Sequence, residues 1–204
     1  DSFADAEIII LANEFLKKII LKKTFKLFIN SLGDKNTIIK YKKNLTNFFE
    51  KYKNDLSEDS KSKIYSNPLR ILDSKNKRDI DLSNNSPKIE KLYTTSAKQK
   101  FDEVQILLSK SNINFEINKN LVRGLDYYCH TVFEFKSDRL GSQDTIIGGG
   151  RYDGLMKMLG GPNIPGVGWA SGVERLMMLS KKIYQKPVLV HVIILDEKFK
   201  NYGF

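Results

Sequence analysis

An arginine beside a glycine, at the entrance to an aromatic-rich strand, can hold an anion. Residues 121–135, LVRGLDYYCHTVFEF, contain that arrangement. Arg123 offers a planar fork that grips carboxylate or phosphate and never loses its charge. With a strand beginning near Tyr127, side-chain alternation puts Cys129, Thr131, Phe133 and Phe135 on one face and Tyr128, His130, Val132 and Glu134 on the other. The first set is a core face. The second carries a phenol, an imidazole and a carboxylate, as the floor of a substrate site would; a surface ion pair on a half-exposed strand is the plainer use of the same residues. A second group is Gly148-Gly149-Gly150-Arg151-Tyr152-Asp153-Gly154. Three successive glycines weaken a strand unless something must approach its backbone, either a flat ligand or the chain itself at a bulge. The third is Gly166-Val-Gly-Trp-Ala-Ser-Gly-Val-Glu-Arg-Leu176. Its small residues, Gly168 and Gly172 among them, open flat space for a purine within reach of Arg175, or equally allow tight helix-on-sheet packing.

Other chemistries are poorly served. Cys129 and His130 are strand neighbours expected to point to opposite faces, so they make no nucleophile–base pair. One cysteine excludes an internal disulfide and fits a reducing, cytoplasmic setting. With only His130 and His191 beside it there is no convincing zinc site, and no tightly bound metal is expected. His191, in an apolar strand, reads as structural. No phosphate-binding loop or dinucleotide fingerprint is present. No apolar run approaches the ~20 residues of a membrane span. The chain starts at Asp1 without a targeting segment, so its N-terminus is expected to be a truncation point or a processed end. The net charge of +10 suits a polyanionic partner; a coding bias toward Lys, Asn and Ile would produce the same charge.

Hydrophobic periodicity supplies the elements that position these residues. A helix opens the chain, with Asp5 as its cap, Ile8, Leu11, Phe15 and Ile19 along it, and lysines at its far end. A strand follows, with Phe25, Leu27 and Ile29 alternating, and stops at Gly33. Ile38, Tyr41, Leu45, Phe48, Phe49 and Tyr52 recur at helical spacing behind a capping Asp34, and a further helix from Ser96 carries Phe101, Val104, Leu107 and Leu108. The polar stretch Asp73 to Lys91 reads as loop. Tyr127–Phe135 and Asp144–Gly150 form a hairpin across the turn Lys136–Gln143. A short helix from Asp153 to Leu159, a loop over Gly160–Gly166 and a strand–helix unit over Val167–Lys182 come next. Pro187–Leu195 reads as one apolar strand without a pairing partner, unstable by itself.

The three chemical segments, in this order and spacing, resemble the histidyl-tRNA synthetases, a class II aminoacyl-tRNA synthetase family. LVRGLDYY and GGGRYDGL are similar to that family's two histidine-specific signatures, and GVGWASGVERL to motif 3 of class II synthetases generally. Asn67 to Lys75, NPLRILDSK, resembles part of the family's helical insertion, and Ser142-Gln143 stands before the second signature as it does there. The resemblance covers nearly the whole chain. It implies an α+β fold: a class II synthetase-type antiparallel sheet flanked by helices, with a helical insertion. The implied organisation is catalytic core over 1–33, insertion over 34–113, catalytic core with motif 3 over 114–185, and the start of an anticodon-binding domain over 186–204.

The implied reaction joins histidine to ATP as an adenylate, then transfers it to tRNA(His). Arg123 would contact the histidine carboxylate and the α-phosphate, with Arg175 on the γ-phosphate as the second catalytic arginine. Tyr127, Tyr128 and Tyr152 would line the imidazole pocket, with Gly149 in the strand beneath. Glu134, Gly168 and Gly172 would complete the ATP site, with Mg2+ arriving with ATP. The intact enzyme would be a cytoplasmic homodimer. Motifs 1 and 2 are missing from the sequence, so these 204 residues are expected not to form the adenylate alone. Two rivals stand beside this reading: a histidine sensor resembling the regulatory subunit of ATP phosphoribosyltransferase, and a basic RNA-binding module. The RNA module accounts for the charge but not for the triple glycine or LVRGLDYY.

Overall fold

The computed structural model describes residues 1–20, 24–141, 144–180 and 193–202. Helix α1 (Ser2–Ile19) is capped by Asp1, whose carboxylate accepts from the Ala4 N–H at 2.9 Å. Asp5, expected to be the cap, is buried instead. It lies one turn before Ile9, on the inward stripe of Ala6, Ile9, Ala12 and Leu16, which is the face turned to the sheet.

Strand β1 (Lys26–Ser31) is followed by a turn at Gly33, where φ is +68° and a Cβ would fall 2.6 Å from Thr37 Cγ2. Only glycine suits that turn. Helix α2 (Lys35–Lys51) begins at the expected cap, Asp34, which accepts from the Thr37 N–H at 2.8 Å. A short α3 (Glu58–Lys61), α4 (Lys77–Asn84) and α5 (Thr95–Lys110) follow. The stretch 73–91, expected as loop, thus contains α4 and the start of a 3-10 turn at Ile89–Leu92. Hydrogen bonds hold it, and they leave no apolar period to read. Asn76 caps α4, and the fully buried Asp79 accepts from Ser57 N–H at 2.8 Å and from the hydroxyls of Ser57, Ser60 and Ser74 at 2.7, 2.7 and 2.6 Å.

The remaining elements are β2 (Glu116–Ile117), β3 (Cys129–Lys136), β4 (Thr145–Arg151), α6 (Leu155–Met158), β5 (Val167–Ser171) and α7 (Val173–Leu179). They make one five-stranded sheet of order β2-β1-β3-β4-β5. The expectation of an antiparallel sheet holds for all but one edge, where β2 runs parallel to β1, Phe28 opposite Glu116. Parallel neighbours require a long crossover, and α2 to α5 provide it.

Each sheet face has its own core. Leu27, Ile29, Phe133, Phe135 and Ile147 pack against α1 and against Phe101, Val104 and Leu108 of α5. On the opposite face, Val132, Leu121 and Val122 join Tyr41, Leu45 and Phe49 of α2 with Leu69, Ile71 and Ile89. Helix α5 therefore packs with α1 and the sheet, apart from the helices that precede it. Ser142-Gln143, His191, the helix end beyond Ser180 and most of the expected strand at 187–195 lie outside the described residues; 193–195 are not in a strand. Among the described residues no helix is long and apolar enough to cross a membrane.

Burial pushes the Asp79 carboxyl up, but the bonds from Ser57, Ser74 and Ser60 outweigh it and hold the group below its ordinary 3.8. A carboxyl depressed by folding stabilises above its unfolded value, and that stability is lost as pH falls through the folded value. Urea unfolding of Asp79→Ala is expected to show a loss of about 2–3 kcal/mol at neutral pH. Wild type should lose stability below about pH 4 more steeply than Asp79→Asn, which has no titrating group there.

Candidate active site

Segment 121–128 has no regular structure of its own and is anchored from the α2–α5 segment. Arg70 donates through Nη2 and Nε to the Gly124 carbonyl at 2.6 and 3.1 Å. Lys42 and Asn67 both donate to Asp126 Oδ1, at 2.9 and 3.3 Å. Leu121 and Val122 are sunk in the core below. These anchors fix where Arg123 leaves the backbone.

Arg123 lies flat on β4. Its Nη1 donates to Glu134 Oε1 at 2.7 Å, and its guanidinium carbon stands 5.5 Å from the Tyr128 ring centre. A Cβ on Gly148 would fall 2.5 Å from Nη1, so only the bare strand admits this pose. The Arg123 Nε is buried without a hydrogen-bond partner, an exception to the usual pairing of buried donors. Glu134 is held by Thr145 Oγ1 at 3.2 Å and Lys136 Nζ at 3.4 Å. Arg175, from α7, donates to the Thr145 carbonyl. Glu134, Asp144, Thr145 and Arg175 border a cavity of about 160 Å3, which Asp73 and Lys75 close from the α2–α5 side.

The three tyrosines form a cluster beside Arg123. Ring centres are 4.8 Å apart for Tyr127 and Tyr128, and each is 6.1 Å from Tyr152. Burial and the neighbouring Tyr128 raise the Tyr127 phenol above its ordinary value, keeping it a protonated donor at neutral pH. Arg123, Glu134, Arg175 and the tyrosines are thus brought together. The small cavity at Glu134 and Arg175 does not extend to the tyrosine rings; Arg123 lies between the two halves.

Three sequence expectations change, and a fourth residue, Gly172, is placed beside Arg175 as the sequence suggests. Gly149 faces the core, where a Cβ would meet Gly168 O, Phe133 and Trp169; strand alternation leaves Gly148 and Gly150 on the site face. Gly168, expected beside adenine, lies under Tyr152, whose hydroxyl would be 2.7 Å from a Cβ there. Gly172 caps α7 and sits along the stem of Arg175. His130 leaves the Tyr128 face: a bulge between Cys129 and Val132 gives it φ +47°. Burial lowers its pKa, and the charges acting on it are Lys100, Asp153, Asp5 and Arg151. The same bulge removes the strict alternation that separated Cys129 from His130. The thiol is nonetheless no nucleophile, because burial pushes it up to about 11 and only a thiolate attacks.

Sequence reasoning gave Asp5 only a capping role and Thr131 only a core face, and assigned Arg151 no function. Arg151 is buried at the end of β4, with Nε and Nη2 on Asp5, Nη1 on Asp153 and Nη2 also on the Asp1 carbonyl; Thr131 donates to the other Asp5 oxygen at 2.7 Å. A charged residue directly after three strand glycines was the available signal.

The model of the family described as Histidyl-tRNA synthetase matches residues 2–176. The chain belongs to the histidyl-tRNA synthetase family. A histidine–tRNA ligase of Rippkaea orientalis is 49% identical over 198 residues, covering 97% of this chain and 46% of that protein. One from Orientia tsutsugamushi (strain Boryong) is 45% identical over 209 residues, covering 98% and 49%. The apo histidyl-tRNA synthetase of S. aureus matches in structure with a TM-score of 0.68 and 31% identity, over 88% of this chain and 43% of that one. The chain spans about half the length of the curated relatives it matches. The synthetase-family glycines differ in what they face, and that separates their roles. Gly150→Ala is expected to cost about 1–3 kcal/mol in thermal or urea unfolding, because its Cβ would fall 2.6 Å from the backbone oxygen of Thr131. Gly148→Ala should cost less than about 1 kcal/mol, since it meets only the movable end of Arg123.

Proposed function

We propose that this chain is the part of a histidine–tRNA ligase that binds histidine and ATP and orients them for adenylate formation. The observation that carries the reading is the pose of Arg123: flat on Gly148, edged by Tyr128, paired with Glu134, with Nε unpartnered. A guanidinium so held is a fixed positive charge toward which a carboxylate and a phosphate oxygen are drawn, the preorganised stabilisation that dominates charge-building steps.

The tyrosine cluster takes the imidazole side chain, with phenol hydroxyls addressing its ring nitrogens. A site built to hydrogen-bond rejects analogues lacking the group by large factors. The histidine carboxylate, drawn to Arg123, attacks the α-phosphorus; the new P–O bond forms as the bond to the bridging oxygen breaks and pyrophosphate leaves. Arg175 takes phosphate oxygens at the far side of Glu134. Glu134 and Asp144, here paired with Arg123 and Lys136, would be the oxygen donors for Mg2+ accompanying ATP, since such sites need only one or two carboxylates beside the phosphates. The cation would neutralise phosphate charge there. The second substrate is tRNA(His), and the net charge of +10 suits its backbone. The helical insertion anchors the Arg123 segment through Lys42, Asn67 and Arg70, all of which precede α5, and the intact protein is a homodimer.

Arg123→Lys keeps the charge and loses the fork. In the full-length protein it is expected to lower histidine-dependent ATP–pyrophosphate exchange by about 100-fold or more. Exchange at the wild-type rate in that variant, or exchange indifferent to histidine in the unsubstituted protein, would refute the assignment. Histidine binding with no exchange at all would point to a sensor instead.

A further inference from the structure

The three tyrosines stand on two separate stretches of chain. Tyr127 and Tyr128 precede the bulge at the start of β3, and Tyr152 follows the last residue of β4. Pairing between β3 and β4 is interrupted beside them: Cys129 is opposite Arg151 and Val132 opposite Gly150, so His130 and Thr131 have no partner on β4, while Thr131 stays opposite Ser31 of β1.

One carboxylate spans the interruption. Asp5 Oδ2 accepts from the bulged Thr131 at 2.7 Å, while Oδ1 accepts from Arg151 Nε at 2.8 Å and from Nη2. Asp5 and Arg151 are only 3% and 5% exposed, so these are charge-assisted bonds in a dry setting. Arg151 is directly bonded in sequence to Tyr152, and Thr131 lies on the far side of the bulge from Tyr128. A Cβ at Gly150 would meet both the Thr131 carbonyl and, at 3.1 Å, Tyr128 Cδ1, so Tyr128 packs directly on the strand this carboxylate holds.

We propose that Asp5 is a positioning residue for the tyrosine pocket: bridging Thr131 and Arg151, it sets the distance of Tyr127 and Tyr128 from Tyr152, and so the affinity for the imidazole amino acid separately from that for ATP. The proposal rests on the reading of the tyrosine cluster as the histidine pocket. It assigns a specificity role to α1, an element that touches neither ligand. ATP is held at the other end of the site, by Arg175 and the cavity around Glu134, which Asp5 does not reach.

The test uses Thr131→Val, which removes one bond and keeps the branched shape, and Asp5→Asn, which removes the charge. Val104→Ala in α5 serves as a control that weakens the same core elsewhere. Calorimetry of the chain with histidine and with ATP is expected to show Thr131→Val weakening histidine about tenfold, a difference of about 1.4 kcal/mol, with ATP unchanged. Val104→Ala should leave both unchanged. In 3-fluorotyrosine-labelled chain, the 19F resonances of Tyr128 and Tyr152 should move in Thr131→Val and Asp5→Asn, while those of Tyr41 and Tyr65 stay.

Histidine and ATP affinities that fall together, or both hold while the Tyr128 and Tyr152 resonances stay in place, would overturn the proposal and leave Asp5 a mere anchor of α1. If the unsubstituted chain binds no histidine, the functional reading fails. The fluorine shifts then decide the positioning role alone: moved resonances support it, unmoved ones refute it. If Asp5→Asn does not fold, Thr131→Val carries the same decision.

Discussion

A planar group can lie against a β-strand only where the strand presents no side chain. Most of the site follows from that constraint. Arg123 rests on Gly148, Tyr128 approaches Gly150, and Tyr152 lies across Gly166 and Gly168. Each of these positions is filled by a side chain brought from elsewhere in the chain, and a single added methyl would displace it or the backbone beside it. The glycine-rich segments therefore act first as seats for the protein's own flat groups. Those groups in turn form the lining of the candidate site.

Charge is distributed to match. Arg123, Glu134, Lys136 and Asp144 form an alternating run along the hairpin, each within 3.4 Å of the next. All four are partly shielded from solvent, so their pairing is worth more than that of surface ions. The anchoring of the run is shared between layers. Arg70, Lys42 and Asn67 hold the Arg123 segment from one side of the sheet, and Asp5 holds Arg151 from the other. The site is thus clamped by two packing cores on opposite faces of one sheet.

Much of this could be read from the sequence, for physical reasons. The first strand, the long helix behind Asp34, the hairpin and the strand–helix unit ending the site all carry clear apolar periods and stand close to where expected, although β3 begins at Cys129 rather than Tyr127. The Arg123, tyrosine and Arg175 grouping was legible because its three segments resemble the family's signatures in order and spacing. What escaped was set by hydrogen bonds rather than by pattern. Helix α4 is organised around the buried carboxylate of Asp79, and its sequence looks like loop. Asp5 resembled a cap because it stands near a helix start; the burial that gives it another task depends on Arg151, far away in sequence. The bulge at His130 could not be read from alternation, since a bulge is a break in it, and Gly149 was assigned to the site because three glycines in a row hide which of them face it.

The parallel pairing of β1 with β2 has a kinetic consequence. Between β1 and its two neighbours in the sheet lies the entire α2–α5 excursion, so the central pairing of β1 with β3 closes a long loop. An unstructured loop adds only about 0.6 kcal/mol of entropy cost for each doubling of its length, but searching for so distant a partner is slow. Tyr41, Leu45 and Phe49 with Leu69, Ile71 and Ile89 form contacts that are nearer in sequence than β1 is to β3. Their early collapse shortens the effective span before the strands meet. The excursion that supplies anchors for Arg123 is, on this account, also the segment that brings the two halves of the sheet within reach during folding.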